Sequence, residues 1–338
     1  GLTTERRGDA LHVRGVEFTR DDQPEHLAAD IVIDASGKRT KLPDLLRAQG
    51  AKIDVIEKPS GFVYACRHYR LDNPSSSPPR EDGGGNLDYL GYATFYAEHG
   101  HYSLTFGVPV EETELAQAIS RADGFETLCE KLPVLRLWTR RSSPTTKVLG
   151  AGRFENRWVQ YRSRSGPELL GYFAVGDSHI ETNPMYGRGC ASAFVQAHVL
   201  GAVLAETQDE SRRSRAYYER TRGLLWPYFQ LAVATDSMYH ARARLARGLP
   251  VSFAERLLNH LYESAWLPAT YSSALMAREF LKSVQMREGS GVGTRLLVMF
   301  HLARAWWATL LGRKTRPLLV PPRAEFLRGL EVTEHASE

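Results

Sequence analysis

The spacing of apolar residues changes near residue 176. Before it they mostly alternate, as in Leu11, Val13 and later Phe18, in Phe62-Val63-Tyr64-Ala65, and in Tyr102, Leu104 and Phe106. A period of two predicts strands with one buried face. Ala29 to Asp34 is instead a short, continuous, β-branched run ending in Ala35-Ser36-Gly37, which predicts a buried sheet strand arriving at a turn. A short helix is expected over Pro43 to Gln49, stopped by Gly50. From Glu111 to Leu132 the period lengthens to helical, through Leu115, Ile119, Phe125, Leu128 and Leu132. Asn73 to Asn86 has too little apolar character to bury and predicts a mobile loop or an insertion between two strands.

After residue 176 helices dominate. Tyr186 to Glu206 reads as one apolar helix opened by a Gly-rich turn, and Arg212 to Arg247 as a long basic helix interrupted at Pro227. Two or three more helices are expected between Ser252 and Leu311, with Gly248, Pro250 and the run Gly289 to Gly293 as breakers. The most apolar stretch, Leu296 to Leu311, contains His301 and Arg304 and falls short of the roughly 18 to 20 apolar residues a membrane span needs. Its flanks are basic at Arg295, Arg313, Lys314 and Arg316. Two readings stay open for residues 295 to 316: a core helix capped by cations, or peripheral contact with a lipid surface.

Composition changes this picture little. The 338 residues are 43% hydrophobic and 24% charged, ordinary globular values that exclude a disordered or collagenous chain. Cys66, Cys129 and Cys190 form no close pair, which excludes a disulfide scaffold or thiolate zinc site and fits a reducing, cytoplasmic setting. Charge is more informative than its net value of +4. Between Ser211 and Arg316 there are 17 Lys or Arg and 6 Asp or Glu, so a basic segment follows an acidic remainder. Its arginines alternate with Leu, Ala and Trp at helical spacing, as on a solvated face over an apolar core, so no nucleic-acid partner is expected.

Residues 171 to 193 carry the chemistry. A strand, Tyr172 to Val175, ends at Gly176-Asp177; after a spacer, Pro184, Gly187 and Gly189 lead into an apolar helix. A carboxylate at a strand end can accept hydrogen bonds from sugar or ribityl hydroxyls. Free N–H groups at a helix start suit a phosphate or delocalised anion, and glycines let a flat ligand approach the backbone.

With this motif the sequence resembles the flavoprotein monooxygenase superfamily, which includes aromatic hydroxylases of the p-hydroxybenzoate hydroxylase type, flavin-dependent halogenases and geranylgeranyl reductases. The resemblance implies FAD as cofactor, with Asp177 on its ribityl and pyrophosphate side. It also implies that the segment Asn183, Pro184, Gly187 and Gly189 lies along the flavin ring. Residues 29 to 43 match a second family element, by which Ala35 and Gly37 lie near the pyrophosphate end and Asp34 shapes the turn. Two departures matter. Ser36 stands before Gly37 and Pro43 near the position of an Arg linked to NADPH handling, so either NAD(P)H or a separate flavin reductase is expected as electron donor. The Trp-x-Trp-x-Ile-Pro and Tyr-x-Trp-x-Phe-Pro signatures of halogenases and geranylgeranyl reductases are absent.

A strand with Gly-x-Gly-x-x-Gly is not found before Asp34, and Gly150-Ala151-Gly152 and Gly289 to Gly293 lack its strand-to-helix context. By motif order the chain reads as the last two thirds of a longer protein. No P-loop, HExxH, GxSxG or EF-hand pattern is present, and His99 with His101 reads as polar spacing on a strand rather than a metal pair. His179 and Arg188, inside the motif, are the candidate catalytic residues, His179 as an acid or base near pH 7. Arg67, His68, Tyr69, Tyr161 and Arg162 are sheet residues that either line a substrate cavity or face outward.

The expected fold is therefore an α/β flavoprotein of the p-hydroxybenzoate hydroxylase type: a partial Rossmann-like FAD domain over residues 1–57, a substrate-domain β-sheet over 58–165, the FAD domain resumed over 166–210 and a helical region over 211–338. The expected function is FAD-dependent monooxygenation of a hydrophobic or aromatic small molecule through a flavin hydroperoxide. Two alternatives stand beside it, a flavin dehydrogenase or reductase of an unsaturated or isoprenoid substrate, and a non-catalytic or membrane-associated remnant of the scaffold. Substrate and oligomeric state are not legible.

Overall fold

The computed structural model describes residues 1–74, 84–87, 89–152, 154–162, 168–287, 292–312 and 323–328. The middle of the expected loop (75–83), most of the glycine run (289–291) and the basic residues Arg313, Lys314 and Arg316 lie outside the described residues.

The chain opens with β1 (Leu2–Arg7), β2 (Ala10–Arg20) and β3 (Gln23–Ala28), paired antiparallel in order. The β2–β3 hairpin turns on Asp21 and Asp22, both at positive φ, the two-residue geometry whose twist suits right-twisted strands. Leu11 and Val13 are buried as their alternation predicts, yet His12 between them is buried too, with Nε2 3.0 Å from Glu210. β4 (Val32–Asp34) is shorter than the apolar run that announced it, because the Ala29 N–H still bonds Arg14 O and completes the preceding hairpin. α1 (Leu42–Ala48) has Pro43 in its first turn and ends before Gly50, followed by β5 (Asp54–Pro59).

β6 (Phe62–Leu71) then begins a larger antiparallel sheet with β7 (Gly85–Asn86), β8 (Gly91–Tyr96) and β9 (His101–Pro109). Tyr69 lies opposite Tyr102 in the register of β6 and β9, and their rings stack at 5.3 Å. His99 is not on a strand: it holds a φ of 56° in the tight turn Glu98–Gly100, and only His101 enters β9. The helical stretch after Glu111 is two helices, α2 (Thr113–Ser120) and α3 (Ala122–Lys131), because Arg121 is extended between them. Pro133 opens a further helix, α4 (Pro133–Thr139), unforeseen in the sequence. Their buried sides join Leu104 and Phe106 of β9 in one core with Ile119, Phe125, Leu128 and Leu135. β10 (Ser142–Pro144) and β11 (Leu149–Ala151), which contains Gly150, close the other edge of β6.

β12 (Glu155–Gln160) pairs with β5, and β13 (Glu168–Leu170) runs parallel to β2. β14 (Tyr172–Ala174) runs parallel to β4, and β15 (Ile180–Glu181) pairs with β12. The apolar helix is α5 (Gly189–Glu206), three residues shorter at its start than the pattern suggests because Gly187 turns at φ 63°. α6 (Glu210–Ala246) passes through Pro227 without a break. Leu225 and Phe229, on either side of Pro227, are buried in the same aromatic cluster. α7 (Phe253–Leu261), α8 (Leu267–Ser272), α9 (Ala274–Val284), α10 (Val292–Leu310) and α11 (Arg323–Leu327) follow.

Two compact units result. One contains Gly1–Ser60, Phe154–Ala234 and Val284–Met286; the other contains Gly61–Arg153, Thr235–Ser283 and Arg287–Glu338.

Candidate functional site

The parallel pair β4 and β14 brings the two motif turns together. In register Tyr172 faces Val32 and Ala174 faces Asp34, so Ala35 to Gly37 and Gly176-Asp177 leave the sheet at the same carboxyl edge. Open parallel sheets bind ligands at that edge. The pair is locked by Val32 N–H to Gly171 O and Val175 N–H to Asp34 O, both 2.8 Å, and by Ser178 Oγ, which donates to Asp34 O at 2.6 Å. On the far side of β14 the carbonyls of Ala174 and Tyr172 accept from the hydroxyls of Tyr217 and Tyr218 at 2.6 and 3.4 Å.

Asp34 is buried, and its carboxylate is occupied. It accepts from Ser36 N–H (2.9 Å), Ser36 Oγ (2.5 Å), Thr40 Oγ1 (2.7 Å) and Tyr172 OH (2.8 Å). These bonds fold the turn and leave Ala35 and Ser36 exposed at its tip, with Gly37 at φ 82° and open space where a side chain would stand. Asp177 differs: it is exposed, partial desolvation raises its pKa, and the nearby Lys38 ammonium opposes that rise. Lys38 also sits 3.4 Å from the buried Glu181 and over the Phe154 ring at 4.3 Å. Burial raises the Glu181 pKa as well, so Lys38 is held beside two carboxylates at the mouth of the turn. The sequence reading missed Lys38 and Glu181; their signal was only a basic residue after one turn and an acid after the other.

Asn183 is buried. Its Oδ1 accepts from Met185 N–H at 3.1 Å, and its own N–H donates to Asn156 Oδ1 at 3.0 Å, which shapes the approach to α5. Pro184 is exposed, and a side chain at Gly187 or Gly189 would meet nothing beyond its own stretch of chain. The left-handed φ of Gly187 explains its glycine. Gly189 has no such constraint, so the space kept beside the first turn of α5 is not required by the chain's own packing. No side chain caps that turn and no acid lies in it, leaving N–H donors and the positive end of an 18-residue helix for a ligand. A flat, anionic group fits these residues.

The two candidate catalytic residues separate. His179 is buried among Trp158, Tyr161 and Tyr218, with Nδ1 3.2 Å from Gln196 Oε1. Burial pushes its pKa down to about 3, so the imidazole is neutral at ordinary pH, and its ring forms part of a cavity wall. Gln196 ties this histidine to the turn, because Oε1 also accepts from Gly176 N–H at 3.1 Å. Arg188 is 8% exposed, and its Nε and Nη1 have no hydrogen-bond partner among the described residues. Its guanidinium lies 5.5 Å from the Tyr186 ring centre and 5.7 Å from that of Tyr228. A buried guanidinium with free donors is a place for an anionic acceptor.

Of the five residues expected on strands, Arg67, His68 and Tyr69 are in β6, whereas Tyr161 and Arg162 lie just past the end of β12. Arg67 and Tyr69 both donate to Glu126 at 2.7 Å, and Tyr161 OH donates to Ser178 O at 2.8 Å. Arg162 pairs with Glu219 at 2.6 Å, and Tyr161, Arg162 and His179 line one cavity of about 540 Å³ together with Asp54, Trp158 and Tyr218. Among the described residues no group of three His, Cys, Asp or Glu is arranged to hold a metal ion.

The fold is the mixed α/β architecture of FAD-dependent halogenases and hydroxylases. The flavin-dependent brominase Bmp2 superposes with a TM-score of 0.55 at 13% identity, over 91% of this chain and 70% of that one. The myxobacterial chondrochloren halogenase CndH gives 0.53 at 16%, over 89% and 68%, and the anhydrotetracycline hydroxylase OxyS of Streptomyces rimosus 0.51 at 16%, over 84% and 51%. In sequence the chain is similar to Protein Rv3254 of Mycobacterium tuberculosis (strain ATCC 25618 / H37Rv), 26% identical over 233 residues. That match takes in 66% of this chain and 47% of the mycobacterial protein, so the chain spans about half the length of this relative. No family model matches.

Proposed function

We propose that the protein is part of an FAD-dependent monooxygenase acting on a hydrophobic or aromatic small molecule. The observation that carries this reading is the juxtaposition, at one carboxyl edge, of the Ala35–Gly37 turn, the Gly176-Asp177 turn and the open, uncapped start of α5. In that frame Asp177 accepts from ribityl hydroxyls, while Ala35 and Gly37 border the pyrophosphate. The segment Asn183 to Gly189 lies along the ring, with the α5 N–H groups facing its negatively polarised edge. When bound, the flavin supplies the oxygen-activating redox chemistry, and the chain need only bind, orient and exclude water. Arg188 holds an anionic substituent of the substrate in the space beside Tyr186 and Tyr228. His179, neutral and enclosed, keeps the Gly176 turn in place through Gln196.

The fold neighbours include halogenases, yet the halogenase tryptophan signature is missing from this sequence, which favours hydroxylation or epoxidation over halogenation. The test is a flavin absorption spectrum of the purified protein, followed by oxygen consumption with reductant and candidate substrates. Label from molecular oxygen in the product is expected. A preparation that stays colourless after reconstitution with FAD overturns the reading, and turnover without oxygen incorporation replaces it by a dehydrogenase.

A further inference from the structure

The C-terminal helices of the second unit expose far more apolar surface than a solvated domain needs. α10 is apolar on two opposite sides. One side, Val298, Leu302 and Ala305, packs against Ala269 and Met276. That packing is pinned by a hydrogen bond: Pro268 cannot donate to Ser264 O four residues earlier, and Thr309 Oγ1 of α10 takes that carbonyl at 2.8 Å. With this side fixed inward, Leu296, Phe300, Ala303, Trp307 and Leu310 form an outward stripe at spacings of three and four. Leu296 is 68% exposed and Trp307 61%.

The charges border this stripe. At 100° per residue, Arg295 and Arg304 fall on its two edges, roughly 90° to either side, and both are exposed. α10 carries no acidic residue. α7 repeats the pattern at shorter length. It is a well-capped helix, with Ser252 and Glu255 bonding reciprocally at its start, yet none of its residues is buried. Phe253, 82% exposed, shares a face with Leu257 and Leu261, and Arg256 borders it. Helices with an apolar outer stripe and arginines on its margins match a bilayer surface, where rings enter the acyl boundary and guanidinium groups reach back to phosphates. A protein partner or second copy would need carboxylates placed opposite Arg295 and Arg304, whereas anionic lipid offers negatively charged phosphates everywhere on its surface.

We propose that α10, with α7, docks the protein peripherally on an anionic lipid surface, without spanning it. The test uses the full chain and vesicles of phosphatidylcholine with and without phosphatidylglycerol. Co-sedimentation with the anionic vesicles is expected to be at least tenfold stronger than with phosphatidylcholine alone, and to weaken with salt. Tryptophan emission should shift to the blue on anionic vesicles and be quenched by lipids brominated in the acyl chain, a response lost when Trp306 and Trp307 are both changed to Phe. Phe300→Glu with Trp307→Glu should abolish binding, and Arg295→Glu with Arg304→Glu should remove the anionic preference, both with unchanged thermal unfolding. Wild-type protein that stays in the supernatant overturns the proposal. So does a concentration-dependent dimer that Phe300→Glu disperses in the absence of lipid binding, which would make the stripe a contact between copies.

Discussion

Asp34 and Asp177 show how environment divides labour between two similar residues at adjacent turns. Asp34 is saturated by four donors within its own turn and strand partner, whereas Asp177 is exposed near Lys38 and takes no hydrogen bond among the described residues. Replacing Asp177 with Ala should leave thermal stability within ~0.5 kcal/mol. It should weaken FAD binding by about 10- to 100-fold, the worth of hydrogen bonds to a charged group, as read by equilibrium dialysis. His179 makes a different prediction. Its folded pKa of about 3 lies below the ordinary histidine value, so protonation favours the unfolded chain. Its contribution is intact above the unfolded pKa of roughly 6.5 and is lost progressively as pH falls towards the folded value. Between pH 7.5 and 4.5 this loss is roughly 2 to 3 kcal/mol, and His179→Gln should flatten that part of a melting-temperature profile.

At the scale of elements, α5 separates what folding needs from what a ligand needs. Gly187 sits at positive φ, so Gly187→Ala should cost about 1 kcal/mol whether or not flavin is present. Gly189 is helical and has open space around it, so Gly189→Ala should hold or raise apo stability by up to ~1 kcal/mol while lowering FAD affinity. Equal losses at both positions would mean that the space beside the helix is not a binding surface. The Tyr217 hydroxyl is the acceptor-satisfying group for Ala174 O, and Tyr217→Phe should destabilise by about 1 to 3 kcal/mol in chemical denaturation by leaving a buried carbonyl unpaired. Much of this element was legible in sequence, because Pro and Gly mark turns by their own backbone limits. Pro227 misled for the same reason: local backbone cost predicts a break, but burial of Leu225 and Phe229 on both sides holds α6 continuous. The division after Arg121 and the extra helix at Pro133 depend on how α2, α3 and α4 cover β9, which no local pattern records.

Over the whole molecule, the site joins distant sequence. Asp34 and Tyr172, 138 positions apart, meet through one hydrogen bond, and a complete sheet unit is formed between them. The two turns were each readable from residues 29 to 43 and 171 to 193. Their side-by-side placement was not, since it depends on β4 and β14 choosing each other as parallel partners. Parallel pairing at long sequence separation is slow because loop closure precedes its reward. In refolding experiments, recovery of FAD binding should therefore follow the slowest major phase, later than the antiparallel sheet of β6 and β9, measured by stopped-flow circular dichroism beside flavin fluorescence.

The tyrosine hydroxyls on β14 also give this small parallel pair a direction. With Tyr172 O and Ala174 O already bonded, that border accepts no further strand, while among the described residues β4 pairs with β14 alone and Ile33 is half exposed on it. Extension can proceed only from the β4 side. A pair with one closed and one receptive border can be completed by a single added strand, yet copies of the molecule cannot stack through it border to border without end.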